Sequence, residues 1–370
     1  MKSAAADFMK GVPMPILFIG STGDRSGHSL ITWAIARKFR EMGLTVGFLK
    51  PFGTDPVLMQ GGWTDHDAYL LKESLALKEP LEAICPFLVS DEAWRTRGRE
   101  EILAQVKSLA QEICLSKDIL VMMGSKHIFF DDTVCPIPDI AFITELQAGC
   151  LLVHRYRKVS RTVYSVLSVS SLVTDKMRGV VLNRIPPDEY RQITSGLIPT
   201  MREKGIPITA ALPEDPVLSF RSLREVGDIL ASDIVWGKEH LDRPAGSMTV
   251  GSADLTGHLA PFKRAYNKII VLEAFFDKEP EEGPASSRPV AGILLTGGRQ
   301  PPQQLVEAAA KARVPLLLVK EDTFAVLEKL ERSTSHLSPE DDVKVLHVTQ
   351  LMERDGAFER LVQSLGIAGK

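Results

Sequence analysis

Between Gly20 and Ser29 the chain reads GSTGDRSGHS, a run whose residue types suit one kind of chemistry, the cradling of a phosphate. Such turns work because consecutive backbone N–H groups and the start of a helix face the anion. Gly20, Gly23 and Gly27 supply freedom to turn, and Ser26 adds a hydroxyl. Ser29 stands where a phosphate-binding loop places the hydroxyl that holds Mg²⁺, while His28 takes the place of the loop lysine. The interval from Gly20 to Gly27 is also longer than the standard pattern. The run therefore leaves two readings open, a nucleotide site and a tight strand-to-helix turn with no ligand.

The elements that must position this turn are legible from periodicity. PILFIG (15–20) reads as a strand, and SLITWAIARKFREMG (29–43) as a helix with Gly43 at its C-terminal cap. TVGFLKPFG (45–53), DILVMMG (118–124), GCLLVHRY (149–156), RGVVLNRIP (178–186) and IPITAALPED (206–215) are further apolar runs. They alternate with the helical stretches DAYLLKESLAL (67–77) and EEILAQVKSLAQEIC (100–114). This alternation predicts an α/β domain, a parallel sheet with helices on both faces. KEHLDRPAGS (238–247) breaks the rhythm and marks the expected boundary between a first domain (1–238) and a smaller α/β domain (248–370). The second pattern runs through NKIIVLEAF (267–275), AGILLTGG (291–298), QQLVEAAAKARV (303–314), PLLLVKED (315–322), TFAVLEKLE (323–331) and VKVLHVTQ (343–350), with DKEPEEGPASSRP (277–289) expected as a surface loop.

Bulk properties exclude some classes. With 370 residues, 44% of them apolar and 25% charged, the composition is that of a globular protein of two domains. A net charge of −3 leaves no electrostatic footprint for nucleic acid or an anionic membrane surface. No apolar run approaches the ~20 residues of a membrane span, and the apolar N-terminal stretch reads as the first strand, not a signal peptide. Cys85, Cys114, Cys135 and Cys150 form no CxxC pair and are expected as free thiols, with the cytoplasm as default location. His127, near Asp131 and Asp132, reads as part of a solvated turn, and no G-x-S-x-G elbow is present.

Taken in order, IGSTGDRSGHS (19–29), GLTVGFLKPFGT (43–54), TDHDA (64–68), ICPFLVSDE (84–92), GVVLNRIP (179–186) and LPEDPVLSFRSLREV (212–226) resemble the dethiobiotin-synthetase-like branch of the P-loop NTPases. GILLTGGRQPPQQL (292–305) and VPLLLVKEDTFAVLEKLE (314–331) resemble a DRTGG-type domain, although the literal motif is absent. Together they are similar, over nearly the whole chain, to a phosphotransacetylase-related family that joins these two modules. The resemblance implies a P-loop NTPase-like fold, ATP or another nucleotide with Mg²⁺ as ligand, and a homo-oligomer. It implies that Gly23, Ser26, Gly27, His28 and Ser29 face the phosphates and that Lys50 points at them as the candidate catalytic cation. Ser29 and Asp67 would hold Mg²⁺, and Asn183 would contact adenine. Beside these stand plainer roles: a snorkelling lysine, a helix-N-terminal carboxylate and a turn-forming asparagine.

Two departures weaken the catalytic reading. His28 replaces the lysine, and in VMMGS (121–125) Met122 or Met123 fills the place of a glutamate that completes the metal shell in relatives. A thioether does not bind a hard cation, and histidine is largely neutral at pH 7 unless a phosphate raises it. The expectation is a nucleotide-binding regulatory protein with weakened turnover, linked to acetyl-CoA or acyl-phosphate metabolism through its relatives and to an enzyme of that kind as partner. The alternatives are an active ATP-dependent synthetase of the dethiobiotin or cobyrinate-amidating kind, and a nucleotide-free scaffold. Phosphate acetyltransferase activity is not expected, because no catalytic domain of that kind is recognisable.

Overall fold

The computed structural model describes residues 15–23, 25–59, 62–90, 96–125, 128–129, 137–250, 269–274, 290–333 and 336–367. His127, Asp131, Asp132, Cys135 and the expected loop at 277–289 lie outside the described residues. The chain forms two compact units, one of residues 1–214 together with 337–370, the other of residues 215–336.

The first unit is built on six strands: β1 (Ile16–Ser21), β2 (Val46–Leu49), β3 (Ile119–Met123), β4 (Gly149–Arg155), β5 (Met177–Ile185) and β6 (Ile208–Pro213). Their order is β6-β5-β4-β1-β3-β2, and every pairing is parallel. All carboxyl ends therefore meet at one edge, with β1 at the centre of the sheet. Residues on both faces of β1 and β3 are buried, as a doubly covered parallel sheet demands.

Helices cover both faces. α1 (His28–Glu41) follows β1 and buries Leu30, Ile31, Trp33, Ala34, Ile35 and Phe39, with Lys38 and Arg40 in its last turn, where the dipole favours cations. Gly43 follows with φ 84, the left-handed residue that ends the helix as the sequence predicts. α2 (His66–Ser74) begins at an Asp65 cap. On the opposite face α3 (Arg99–Cys114), α4 (Asp139–Glu145) and α5 (Val159–Val173) pack a continuous core with Phe18, Leu120, Met122 and Leu152.

Two helices from the end of the chain complete this unit: α6 (Asp342–Arg354) and α7 (Ala357–Leu365). α6 lies against α1, with ion pairs from Arg37 to Asp342 and from Lys38 to Glu353. VKVLHVTQ is thus helical and belongs to the first unit, whereas the sequence reading assigned it to the second. Val345, Val348 and Met352 are its buried apolar residues, a helical spacing that the β-branched composition disguises.

The second unit carries a sheet of β7 (Arg221–Ser222), β8 (Asp233–Trp236), β9 (Pro244–Val250), β10 (Ile269–Ala274), β11 (Val290–Leu295) and β12 (Leu316–Leu318). The order is β7-β9-β10-β11-β12-β8, and only β11 and β12 are parallel. The expected boundary at 238–247 falls inside this unit: Lys238–His240 form a helical turn and Pro244 opens β9. Charge, proline and glycine there mark a turn between strands, and the units divide between Glu214 and Asp215 instead.

Candidate functional site

The glycine turn sits at the carboxyl edge of the sheet, at the head of α1. Its helix cap is Gly27, with φ 84 and no side-chain cap hydrogen bond, so the cap residue itself covers none of the first N–H groups of α1. Glycine is required here twice over, because a Cβ at residue 27 would also lie 2.5 Å from Asn183 Nδ2. Ser21 Oγ donates to Gly23 O or Ser26 Oγ, each at 2.8 Å, and accepts from Gly23 N at 3.2 Å. Ser26 Oγ in turn lies 3.2 Å from His28 Nδ1. The Gly23 amide is thus engaged within the turn, and the helix end carries the anion-binding character.

Asn183, at the end of β5, donates from Nδ2 to Ser26 O at 2.7 Å and accepts on Oδ1 from Arg184 N at 2.9 Å. It is buried and braces the turn across two strands of the sheet. One amide hydrogen and one lone pair stay uncommitted by these two bonds.

Lys50 follows β2 and is 1% exposed. Its Nζ lies 2.7 Å from Asp65 Oδ1 and 2.7 Å from Asp67 Oδ2. Burial alone would lower the ammonium, but Asp65 and then Asp67 outweigh it and hold Lys50 well above the usual lysine range. Burial likewise works to raise Asp67, yet the charges of Lys50 and His28, with hydrogen bonds from Lys50 and the Ser29 hydroxyl, hold it well below the usual carboxylate range. Asp65 caps α2 through Asp67 N and Ala68 N and also accepts from Asp55 N. The structure therefore brings His28, Ser29, Lys50 and Asp67 into one cluster, with Lys50 held by two carboxylates.

The Ser29 hydroxyl and the Asp67 carboxylate, neighbours at the head of α1, are hard oxygen donors of the kind Mg²⁺ takes alongside phosphate oxygens and water. No carboxylate comes from the end of β3: Met122 and Met123 are both fully buried there.

The sequence reading missed a buried acid beside that strand end. Asp139, the first residue of α4, accepts from Ser125 N at 2.9 Å, and a Cβ on Gly124 would lie 2.2 Å from its Oδ2. Burial pushes this carboxyl up to about 7, against opposing hydrogen bonds from Ser125. It also missed His154 on β4, whose Nδ1 lies 2.8 Å from Thr22 Oγ1 and whose Nε2 lies 3.1 Å from Thr162 Oγ1. Burial, reinforced by the charge of Arg157, pushes His154 down to about 4, leaving it neutral. Neither residue sits in a recognisable motif, since their partners are distant in sequence.

In the second unit, the amides of Gly297 and Gly298 donate to Glu321 O and Val319 O, and Thr296 is hydrogen-bonded to Thr323. The TGG turn is an ordinary strand connection whose glycine donors are engaged.

Comparison with known proteins agrees with this layout. Residues 225–333 match the DRTGG domain. A phosphate acetyltransferase of Synechocystis sp. is 23% identical over 370 residues, covering 94% of this chain and 51% of that protein. An ATP-dependent dethiobiotin synthetase BioD of Anaeromyxobacter dehalogenans is 26% identical over 230 residues, covering 59% of this chain and 98% of that protein. The chain thus spans about half the length of the phosphate acetyltransferase. Among solved structures, the septum site-determining protein MinD complexed with Mg-ADP from Pyrococcus horikoshii aligns at 16% identity and TM-score 0.33, covering 55% of this chain and 83% of that one. Residues 16–222, more than half of the chain, match the AAA domain AAA_26, and the chain belongs to that family.

Proposed function

We propose that the first unit binds a nucleotide at the head of α1 and that the chain acts as a nucleotide-responsive regulatory protein with little or no turnover. The observation that carries this reading is the glycine that caps α1 and lays no side chain over the helix start, with Ser29 and Asp67 beside it. Helix amides would take the β- and γ-phosphates. Ser29 and Asp67 would hold Mg²⁺, which when bound neutralises phosphate charge. Asn183 keeps one amide hydrogen for the edge of a base. The similarity to an ATP-dependent dethiobiotin synthetase favours an adenine nucleotide.

Weak turnover follows from charge. Within the described cluster of His28, Ser29, Lys50 and Asp67, His28 is the cation left for a transferring phosphoryl group, because Asp65 and Asp67 already pair with Lys50. Loss of one such stabilising group costs roughly 10²–10³ in rate. The active-synthetase reading would require Lys50 to leave both carboxylates for the substrate. The similarity to phosphate acetyltransferases favours a cytoplasmic role beside an enzyme of acyl-phosphate chemistry, with the chain as a homo-oligomer. Isothermal titration with Mg-ATP, paired with a phosphate-release assay, tests the proposal. Saturable binding with negligible release supports it, whereas absence of binding to any nucleotide removes it.

A further inference from the structure

A solvent-open cleft of about 240 Å³ lies beside the glycine turn, and the nucleotide reading gives it no task. Thr22 and Gly23 form one wall. The end of β4 supplies His154, Arg155 and Arg157, and α5 supplies Arg161 and Ser165. Arg161 and Ser165 are four residues apart and so share a face of α5. Three guanidinium groups thus line one concavity, with no carboxylate among its described lining residues. None of the three makes an ion pair among the described residues, in a chain whose net charge is −3.

Positive charge accumulates just beyond the cleft as well. Arg184 is lowered first by burial and then by the charges of Arg155 and Arg25, with Glu214 the acid acting in the other direction. Like charges gathered at one edge raise the local potential and favour an anion there. Guanidinium groups are the side chains suited to oxyanions, because their planar fork donates two parallel bonds to a phosphoryl group. His154 contributes structure and no charge: it ties Thr22 to Thr162, and so holds the turn against the arginine-bearing helix.

We propose that this cleft is a second oxyanion site, in which Arg155, Arg157 and Arg161 grip the phosphoryl group of a small molecule other than the nucleotide held at the head of α1. It rests on the nucleotide reading only in being called second, since the cleft takes its ligand whether or not α1 does.

The test uses the full chain, with inorganic phosphate and pyrophosphate as probes, titrated calorimetrically against chloride at matched ionic strength, with and without saturating Mg-ADP. Arg157→Gln and Arg161→Gln change exposed residues and leave the melting temperature near that of the parent, which is checked first. The expected result is saturable phosphate or pyrophosphate binding that persists with Mg-ADP present. Each substitution weakens it by at least about tenfold, while Mg-ADP affinity stays within about twofold. Anion binding that Mg-ADP displaces one for one assigns the cleft to the nucleotide's own phosphates and overturns the proposal. Binding equal in the variants, or matched by chloride, overturns it too. Loss of Mg-ADP binding with retained pyrophosphate binding would instead defeat the nucleotide reading alone.

Discussion

Lys50 Nζ lies 2.7 Å from Asp67 Oδ2, and Ser29 at the head of α1 helps to hold the same carboxylate ionised. One acid thereby links the strand-end lysine to the residue that follows the loop histidine. The lysine after β2 is a counter-ion before any ligand arrives, and the proposed phosphate site is left with helix amides and an imidazole.

Removing that counter-ion strands two carboxylates. Lys50→Met leaves Asp65 fully buried and Asp67 largely buried without their cation, and is expected to destabilise the first unit by about 3–5 kcal/mol. Lys50→Met combined with Asp67→Asn recovers part of the loss. Urea unfolding checks both, and a change below about 1 kcal/mol in the single variant contradicts a closed ion cluster.

At the turn, Gly27→Ala meets Asn183 Nδ2 at 2.5 Å and places a Cβ in left-handed backbone. The backbone contribution alone is about 1–2 kcal/mol. Asn183→Ala removes the clash and the brace to Ser26 O, so the double variant is less impaired than the sum of the two singles. Thermal melts with and without Mg-ATP read both effects; additive losses would contradict the contact.

Two buried groups give opposing pH dependence. Asp139, pushed up to about 7 by burial, keeps its proton in the folded state while unfolded aspartate ionises near pH 4, so its contribution to stability falls between about pH 4 and 7. His154, pushed down to about 4 by burial and Arg157, stays neutral while the unfolded imidazole protonates below about 6.5, so its contribution falls as pH drops from about 6.5 to 4. Each slope spans at most about 4 kcal/mol. Asp139→Asn should leave stability rising with pH over this range, and His154→Gln should leave it falling. Urea midpoints from pH 4 to 8 measure this, and profiles parallel to the parent would refute it.

His28→Lys restores a cation at the head of α1. Because His28 already acts electrostatically on Asp67, part of the new charge is absorbed there, and Mg-ATP affinity is expected to rise by about tenfold and not more. Titration calorimetry reads the change; a weaker complex would place the phosphates elsewhere.

The strand, turn and helix around Gly27 were legible because each carries local signals: a buried apolar run, glycines and a 3.6-residue period ending at Gly43. The parallel sheet followed from the same runs. Asp139, His154 and the three arginines were not legible, because their meaning lies in partners brought together across separate strands. Their spacing in the chain matches no motif. Lys50 was read as a site residue and lies in the cluster, but its two carboxylate partners could not be ranked against a phosphate from sequence. The misplacement of VKVLHVTQ has a related cause, since an amphipathic segment states that it has an apolar face and not which core receives it.

The most direct test of nucleotide binding without rapid chemistry is a paired measurement on one preparation, Mg-ATP affinity by calorimetry and phosphate release under saturation. Saturable binding that Gly27→Ala weakens, with release at least about a hundredfold slower than the ~10 s⁻¹ of a median enzyme, is the predicted outcome. Turnover at an ordinary enzymatic rate, or a chain that ignores Mg-ATP while folded, would contradict it.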